Sequence, residues 1–414
     1  MESGHPSVSF GQVLKNRQFF ALWLAQFVST FGDWLALLAL FSLVTYRWNG
    51  TPYQVSGIFV SFALPFALLG PVAGVFVDRW SLKWTMIASD LIRAVLATRI
   101  AFATSLHQVY FLCFALSVVS CFFLPAQTAA IPLLVRREEL LVANAVNTQT
   151  VQFNRIVGPA IAGLLVTWAG EKICFYIDSL SFLFSAAVLS TLAMERRPAG
   201  SGRGARSVLE ELRAGLEFLW KQQRIRFVTL AMVATMLAVG AFDALIAVFV
   251  RDILHGKSPV FGALVALVGE GTILGAFLIG KFAQRQPRVP MVVLGILGLG
   301  VGVFLLAASS SAAPALLCGL ALGLAASSVL LPSQTLMQEE TPQAMRGRVS
   351  STVLALLTVS QLLSVSMAGK VADWIGIRRL YQLVALFLVS IAVLGYTYAR
   401  RTQLAEATLR PTDN

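Results

Sequence analysis

Apolar residues in this chain come in runs of about 18 to 28, and a helix rising 1.5 Å per residue needs about 20 of them to cross roughly 30 Å of hydrocarbon. The alternation of apolar and polar residues that a membrane β-barrel requires is absent. Helices are then the structure that satisfies the backbone in lipid. The runs lie at 18–45, 54–77, 83–104, 108–133, 146–168, 173–194, 226–250, 259–283, 289–309, 312–337, 348–369 and 379–399. They predict an all-α membrane protein with twelve transmembrane helices. Only 13% of the residues are charged, against about a quarter in soluble domains, so a soluble fold is excluded.

The one long break, 195–225, holds Pro198, a Gly/Arg-rich stretch and an amphipathic segment from Ser207 to Gln222. It separates an N-terminal six-helix bundle, 1–194, from a C-terminal one, 226–414. A net charge of +12 would suit nucleic acid only on the basic face of a soluble domain, and here the cations sit in connecting loops. With the N-terminus in the cytoplasm, 22 of the 32 Lys and Arg fall in inside segments, eight of them from Arg196 to Arg226, and seven in outer loops. Both termini are then cytoplasmic. The amphipathic segment, with Leu212, Leu216, Leu219 and Trp220 among basic residues, is either a helix on the inner leaflet or a solvated connector. The first run lacks a cleavage pattern and reads as a retained helix. Cys113, Cys121, Cys174 and Cys318 lie in apolar segments without C-x-x-C spacing, and His5, His107 and His255 in the tail or outer loops, so no disulfide, metal or cofactor is expected.

The two halves repeat. Gly70-Pro71…Gly74…Asp78-Arg79 is echoed by Ala276…Gly280…Gln284-Arg285, displaced by 206 residues. Pro125-x-Gln127-Thr128 returns as Pro332-x-Gln334-Thr335, displaced by 207, and Asp33 returns as Asp243, displaced by 210. Parallel six-helix repeats place a binding site between the halves.

The segment Gly74-Val75-Phe76-Val77-Asp78-Arg79-Trp80-Ser81-Leu82-Lys83 resembles the loop between helices two and three of the major facilitator superfamily, Gly-x-x-x-Asp-Arg-x-Gly-Arg-Arg/Lys. Ser81 stands at the second glycine and Leu82 at the following arginine. Gly158-Pro159…Gly163 is similar to the helix-packing motif of superfamily exporters. Gln26-Phe27-Val28-Ser29-Thr30-Phe31-Gly32-Asp33-Trp34 and Asp90-Leu91-Ile92-Arg93-Ala94 resemble the group that contains the enterobactin exporter, macrolide efflux proteins and, more distantly, lysophospholipid transporters. The resemblance implies two six-helix bundles, a bacterial inner-membrane location and alternating access. It also implies a cytoplasmic gate in which Asp78 pairs with basic neighbours and with a helix N-terminus of the other half, a stable arrangement for a carboxylate. The arginine that drug–proton antiporters often carry in helix four has no counterpart between 108 and 133.

Charge inside a bilayer costs about 2.5–3.5 kcal/mol per residue on insertion scales, so intramembrane ionisable residues are functional candidates. They divide by depth. Gly74, Asp78, Arg79, Lys83, Asp90 and Arg93, at or near the inner surface, are read as the gate. Asp33, sixteenth in a run of 28, shares a helix face with Gln26 and Thr30. Thr148, Gln152 and Arg155 form a second polar stripe, and Ser351, Thr358 and Gln361 a third, either facing a substrate path or bonding helix to helix. Glu270, twelfth of 25, lies between Gly269 and Gly271, and either it or Asp33 is a candidate to carry a proton as access alternates. Asp243 lies nearer the outer side. Arg99 and Arg155 would suit a phosphate or a catecholate, or would hold Glu270 in a permanent pair.

The expected function is secondary export of a hydrophobic or amphipathic small molecule, a drug or siderophore, by a monomeric proton-coupled carrier. No G-x-x-x-x-G-K-[ST] occurs, and Gly298-x-Gly300-x-Gly302 lacks the strand and acidic residue of a nucleotide site. An alternative with the same fold is a lysophospholipid carrier. A transport-inactive sensor or a membrane enzyme would need a soluble domain or a catalytic constellation that the sequence lacks.

Overall fold

A computed structural model describes residues 10–77, 79–194, 205–282, 286–343 and 345–408. Among the described residues the regular structure is helical: α1 (Phe10–Lys15), α2 (Arg17–Ser42), α3 (Pro52–Val77), α4 (Leu82–Ile100), α5 (Leu106–Leu134), α6 (Leu140–Ala169), α7 (Glu171–Ser190), α8 (Ala205–Lys221), α9 (Gln223–Asp252), α10 (Ser258–Phe282), α11 (Arg288–Ala308), α12 (Ala312–Glu340), α13 (Arg346–Ile375) and α14 (Ile377–Thr408). The twelve long helices, α2–α7 and α9–α14, correspond one to one with the apolar runs. The largest differences are at ends: α6 begins six residues before its run, and α13 and α14 continue past theirs. Hydropathy marks where a helix leaves hydrocarbon, whereas backbone hydrogen bonding continues into its polar turns.

Ten of the twelve are long and apolar enough to cross a membrane by length and composition. The other two are α4 and α6. The first is interrupted by Lys83, Asp90, Arg93 and Arg99, the second by Asn144, Asn147, Gln149, Gln152, Asn154 and Arg155. Their polar groups are partly spent on packing. In α6, Thr150 accepts from Trp23 Nε1 at 2.8 Å and Asn154 Nδ2 donates to the Phe27 carbonyl at 2.9 Å, while a Cβ at Gly158 would lie 2.6 Å from Trp34 Cβ. The three positions, four apart, form one stripe of α6 laid along α2. Gly158, Pro159 and Gly163 are all buried on α6, and at Gly158 the two helices meet closely.

Local chemistry sets the breaks. The Asn16 side chain caps α2, accepting from Gln18 N at 3.1 Å and Phe19 N at 3.3 Å, and donates to the Leu134 carbonyl at the end of α5. Gly170 (φ 78°) turns α6 into α7, and Gly376 (φ 87°) turns α13 into α14; this backbone region suits glycine. The two glycines are 206 residues apart, another echo of the repeat.

The chain divides into two compact units, Met1–Asn49 with Gly57–Ala205 and Gly50–Ser56 with Arg206–Asn414. In the first, α7 packs against α2 and α4, over a core that includes Phe19, Leu22, Met86, Phe123, Ala126 and Leu189. In the second, α10 and α12 approach so closely that a Cβ at Gly271 would lie 3.1 Å from Gly323 Cα, close packing that small residues allow. Helix α8 covers most of the predicted amphipathic segment and packs on α13: Thr352 Oγ1 donates to the Leu212 carbonyl at 3.4 Å, and Leu219 is buried while Leu216 and Trp220 stay exposed.

Candidate functional site

Four charged side chains meet inside the first unit, supplied by three helices. Asp33 comes from α2, Asp90 and Arg93 from the middle of α4, and Asp178 from α7. Asp90, Arg93 and Asp178 are buried, and each carboxylate lies in the field of Arg93. Asp33 and Asp178 also lie in each other's field. Their closeness has a cause in the backbone. Gly32 presents no side chain to α7, and a Cβ there would stand 2.7 Å from Asp178 Oδ1 and 3.0 Å from Asp178 Cα. The residue after it, Asp33, is thereby brought against α7.

Arg93 is held firmly. It pairs with Asp90 one helical turn earlier, and its guanidinium carbon stands 4.1 Å from the centre of the Phe123 ring and 4.4 Å from that of Phe182. Both rings attract the cation. With Asp90 matched to Arg93, Asp33 and Asp178 make no ion pair of their own among the described residues.

These groups open into a cavity of about 390 Å³, within the range of about 300–1,000 Å³ usual for small-molecule sites. Its wall includes Gln26, Asp33, Trp34, Arg93, Gln127 and Asp178, and aromatic rings, Phe59 and Phe62 of α3, Phe123 of α5 and Phe175 of α7. Several buried polar atoms on the wall make no hydrogen bond: Gln26 Oε1, Gln127 Nε2, Arg93 Nε and Asp178 Oδ1. Buried polar groups are ordinarily satisfied, so a wall with four such atoms is suited to a polar ligand.

The sequence profile of the transmembrane secretion effectors, of the major facilitator superfamily, matches residues 9–413. The chain belongs to this family. Its relatives include an uncharacterized MFS-type transporter of Bacillus subtilis (strain 168), 28% identical over 389 residues that cover 89% of this chain and 90% of that one. Macrolide efflux protein A of Streptococcus pyogenes is 25% identical over 387 residues, covering 91% and 94%. Among solved structures, a bacterial homologue of the human lysosomal transporter Spinster superimposes with a TM-score of 0.73 at 16% identity, covering 92% of this chain and 96% of that one. A mutant of the nucleoside transporter NupG gives 0.74 at 14% identity, covering 92% and 99%. The protein is a multi-pass membrane transporter with the major facilitator fold.

In this transporter the expected site residues are redistributed. Asp33 and Gln26 share the cavity as expected, and Asp243 meets Gln361 in the second unit, where Gln361 Nε2 donates to Asp243 Oδ2 at 3.4 Å. Asp90 and Arg93, grouped by sequence with the gate, instead belong with Asp33 and Asp178, because their side chains point from mid-helix into the bundle core. Lys83 is engaged inside its own unit: its ammonium donates to the Ser190 and Leu192 carbonyls at 2.6 and 2.7 Å, neutralising the C-terminal end of α7. At Gly74 a Cβ would meet nothing within 4 Å. Arg79 is exposed, and Asp78 lies outside the described residues.

Arg99, in the last turn of α4, is exposed beside Val95, Thr98 and Phe102 and does not line the cavity. Arg155 and Glu270 are likewise exposed and contribute nothing to its wall. Asp178 is the residue sequence reasoning undervalued. A lone carboxylate in the middle of a 20-residue apolar helix, followed by Ser179 and Ser181, was the available signal.

Proposed function

We propose that this transporter is a proton-coupled exporter of hydrophobic or amphipathic small molecules working by alternating access, with Asp33 and Asp178 as its coupling groups. One observation carries the reading: a largely apolar, aromatic cavity contains two carboxyls that Arg93, already paired with Asp90, does not neutralise. Charge of that kind inside a membrane protein calls for a partner, and a proton is the one available without a further protein cation. The sequence carries no Walker-type phosphate loop, so the energy comes from a gradient. Similarity to macrolide efflux protein A supports outward movement of an amphipathic cargo.

The placement that goes with this reading is a bacterial inner membrane with both termini in the cytoplasm, and a monomer of two six-helix bundles, 1–194 and 226–414, joined by a cytoplasmic linker. Arg79 and Asp78 at the α3–α4 turn are the remaining gate candidates. Asp243 with Gln361 is the counterpart polar site of the second bundle.

The test is flux in proteoliposomes under an imposed pH gradient, with a fluorescent amphipathic dye as cargo. Gradient-driven dye movement is expected in the wild type and is lost in Asp33→Asn and Asp178→Asn, while Glu270→Gln retains it. Flux indifferent to the gradient and to both aspartate substitutions refutes proton coupling.

A further inference from the structure

The wall of the first-unit cavity is specific about charge. From α3 and α5 it receives aromatic rings and neutral polar groups, Ser117, Ser120 and Gln127, and no charge. The charged groups facing Asp33 are Asp178 from α7 and Asp90 with Arg93 from α4, and Arg93 is already matched by Asp90 and sandwiched by Phe123 and Phe182. A ligand at this point therefore meets two carboxyls in the field of one cation, Arg93, which is already paired with Asp90. It also meets unpaired acceptors beside the carboxyls, Gln26 Oε1 and Asp178 Oδ1, with Asp33 making no hydrogen bond among the described residues, while Gln127 Nε2 and Arg93 Nε on the same wall are donors left for polar atoms of the ligand's body. The rest of its surroundings are ring faces and aliphatic side chains such as Trp34, Leu37, Phe59 and Phe175.

We propose that this cavity binds a protonated amine carried on an apolar, preferably aromatic, body, with the ammonium between Asp33 and Asp178 and one of its N–H groups donated to Gln26 Oε1. This rests on the export reading and narrows its cargo from amphipathic molecules in general to organic cations with N–H donors. Each chemical element of the ligand answers one feature of the wall. Positive charge answers the two carboxyls, through charge-assisted hydrogen bonds that are stronger than neutral ones. N–H groups answer the unpaired acceptors, whose burial without a partner is costly. The body answers the rings, which also attract a cation. A carboxylate or phosphate ligand fits poorly, since it would add negative charge beside Asp33 and Asp178, where the charge of Arg93 is already matched by Asp90.

The experiment uses the full chain in nanodiscs of zwitterionic lipid and three probes of one shape: a naphthylalkylamine, its quaternary trimethylammonium derivative and its neutral alcohol. Calorimetric titration is expected to show the amine binding roughly tenfold or more tighter than the alcohol, with the quaternary compound between them. Asp178→Asn and Asp33→Asn should each abolish the preference for amine over alcohol. Gln26→Leu removes an acceptor and no charge, so it should reduce the preference for amine over quaternary compound, which keeps the part due to N–H bonds to the carboxyls, and leave that for cation over alcohol unchanged. The alcohol binding as tightly as the amine overturns the proposal, as does an Asp178→Asn variant with wild-type thermal stability that still prefers the amine. Equal gradient-driven export of amine and alcohol removes the amine selectivity and leaves the export reading standing. Binding of the amine with no gradient-driven movement of any probe leaves the binding site standing and removes the export reading.

Discussion

Replacing Gly32 with alanine asks whether the closeness of α2 and α7 is what assembles the Asp33–Asp178 pair. The new Cβ would stand 3.0 Å from the Asp178 backbone Cα, and carbon contacts settle at about 3.5–4.0 Å, so the helices must part by about 0.5–1 Å at this level. Overpacking of this kind costs about 1–3 kcal/mol. Alanine recovers about 1 kcal/mol over glycine through helix propensity, leaving a net loss of about 0–2 kcal/mol. The functional loss should be larger than the stability loss, because the displaced helix carries Asp33 in the next position and the clash falls on Asp178 itself. Gly74→Ala is the matched control: nothing lies within 4 Å of its Cβ, so it should be neutral or stabilising by up to about 1 kcal/mol. Thermal unfolding of the purified variants and pH-gradient-driven dye flux measure the two effects separately. Gly32→Ala is expected to unfold a few degrees lower at most and to lose roughly tenfold or more of its flux. A Gly32→Ala protein that transports at the wild-type rate, or a Gly74→Ala protein that is equally impaired, refutes the reasoning.

Other perturbations follow from the same contacts. Arg93→Met strands Asp90 in the core and should cost about 3–5 kcal/mol of stability, most of which the double variant Asp90→Leu/Arg93→Met recovers; chemical or thermal unfolding reads both. Lys83→Ala removes two charged hydrogen bonds from the end of α7 and should lower stability by about 1–3 kcal/mol, with faster amide exchange at Thr191 and Leu192. On α8, the exposed Glu217–Lys221 pair holds the Glu217 carboxyl below its usual range. Whatever it contributes is present above the ordinary glutamate range and is lost as pH falls through the lowered value, so Glu217→Gln at neutral pH should leave the unfolding midpoint unchanged.

How much was legible in the sequence depended on whether the relevant physics was local. Helix number and approximate ends were readable because a backbone in hydrocarbon must close its own hydrogen bonds over about 20 residues, and the chain displays that requirement directly. The repeat was readable at Asp33 and Asp243, and the turns at Gly170 and Gly376 echo it at the same spacing. The site was half readable. Gln26 and Asp33 lie on one face of one helix, which periodicity exposes. Arg93 and Asp178 reach the same point from 60 and 145 residues away along the chain. Arg155 shows the limit most plainly, since like Arg93 it is an arginine inside a membrane-length helix with polar neighbours, and yet Arg93 is buried and Arg155 exposed.

The amino-acid order by itself therefore determined that the chain is a helical membrane protein, and where its helices begin and end, because those follow from the transfer of each segment between water and lipid. Which charges become partners was decided by tertiary packing alone. Gly32 lets α7 approach, Phe123 and Phe182 hold Arg93 toward Asp90, and the two remaining aspartates face one cavity because three helices cross there, a geometry that no single segment contains.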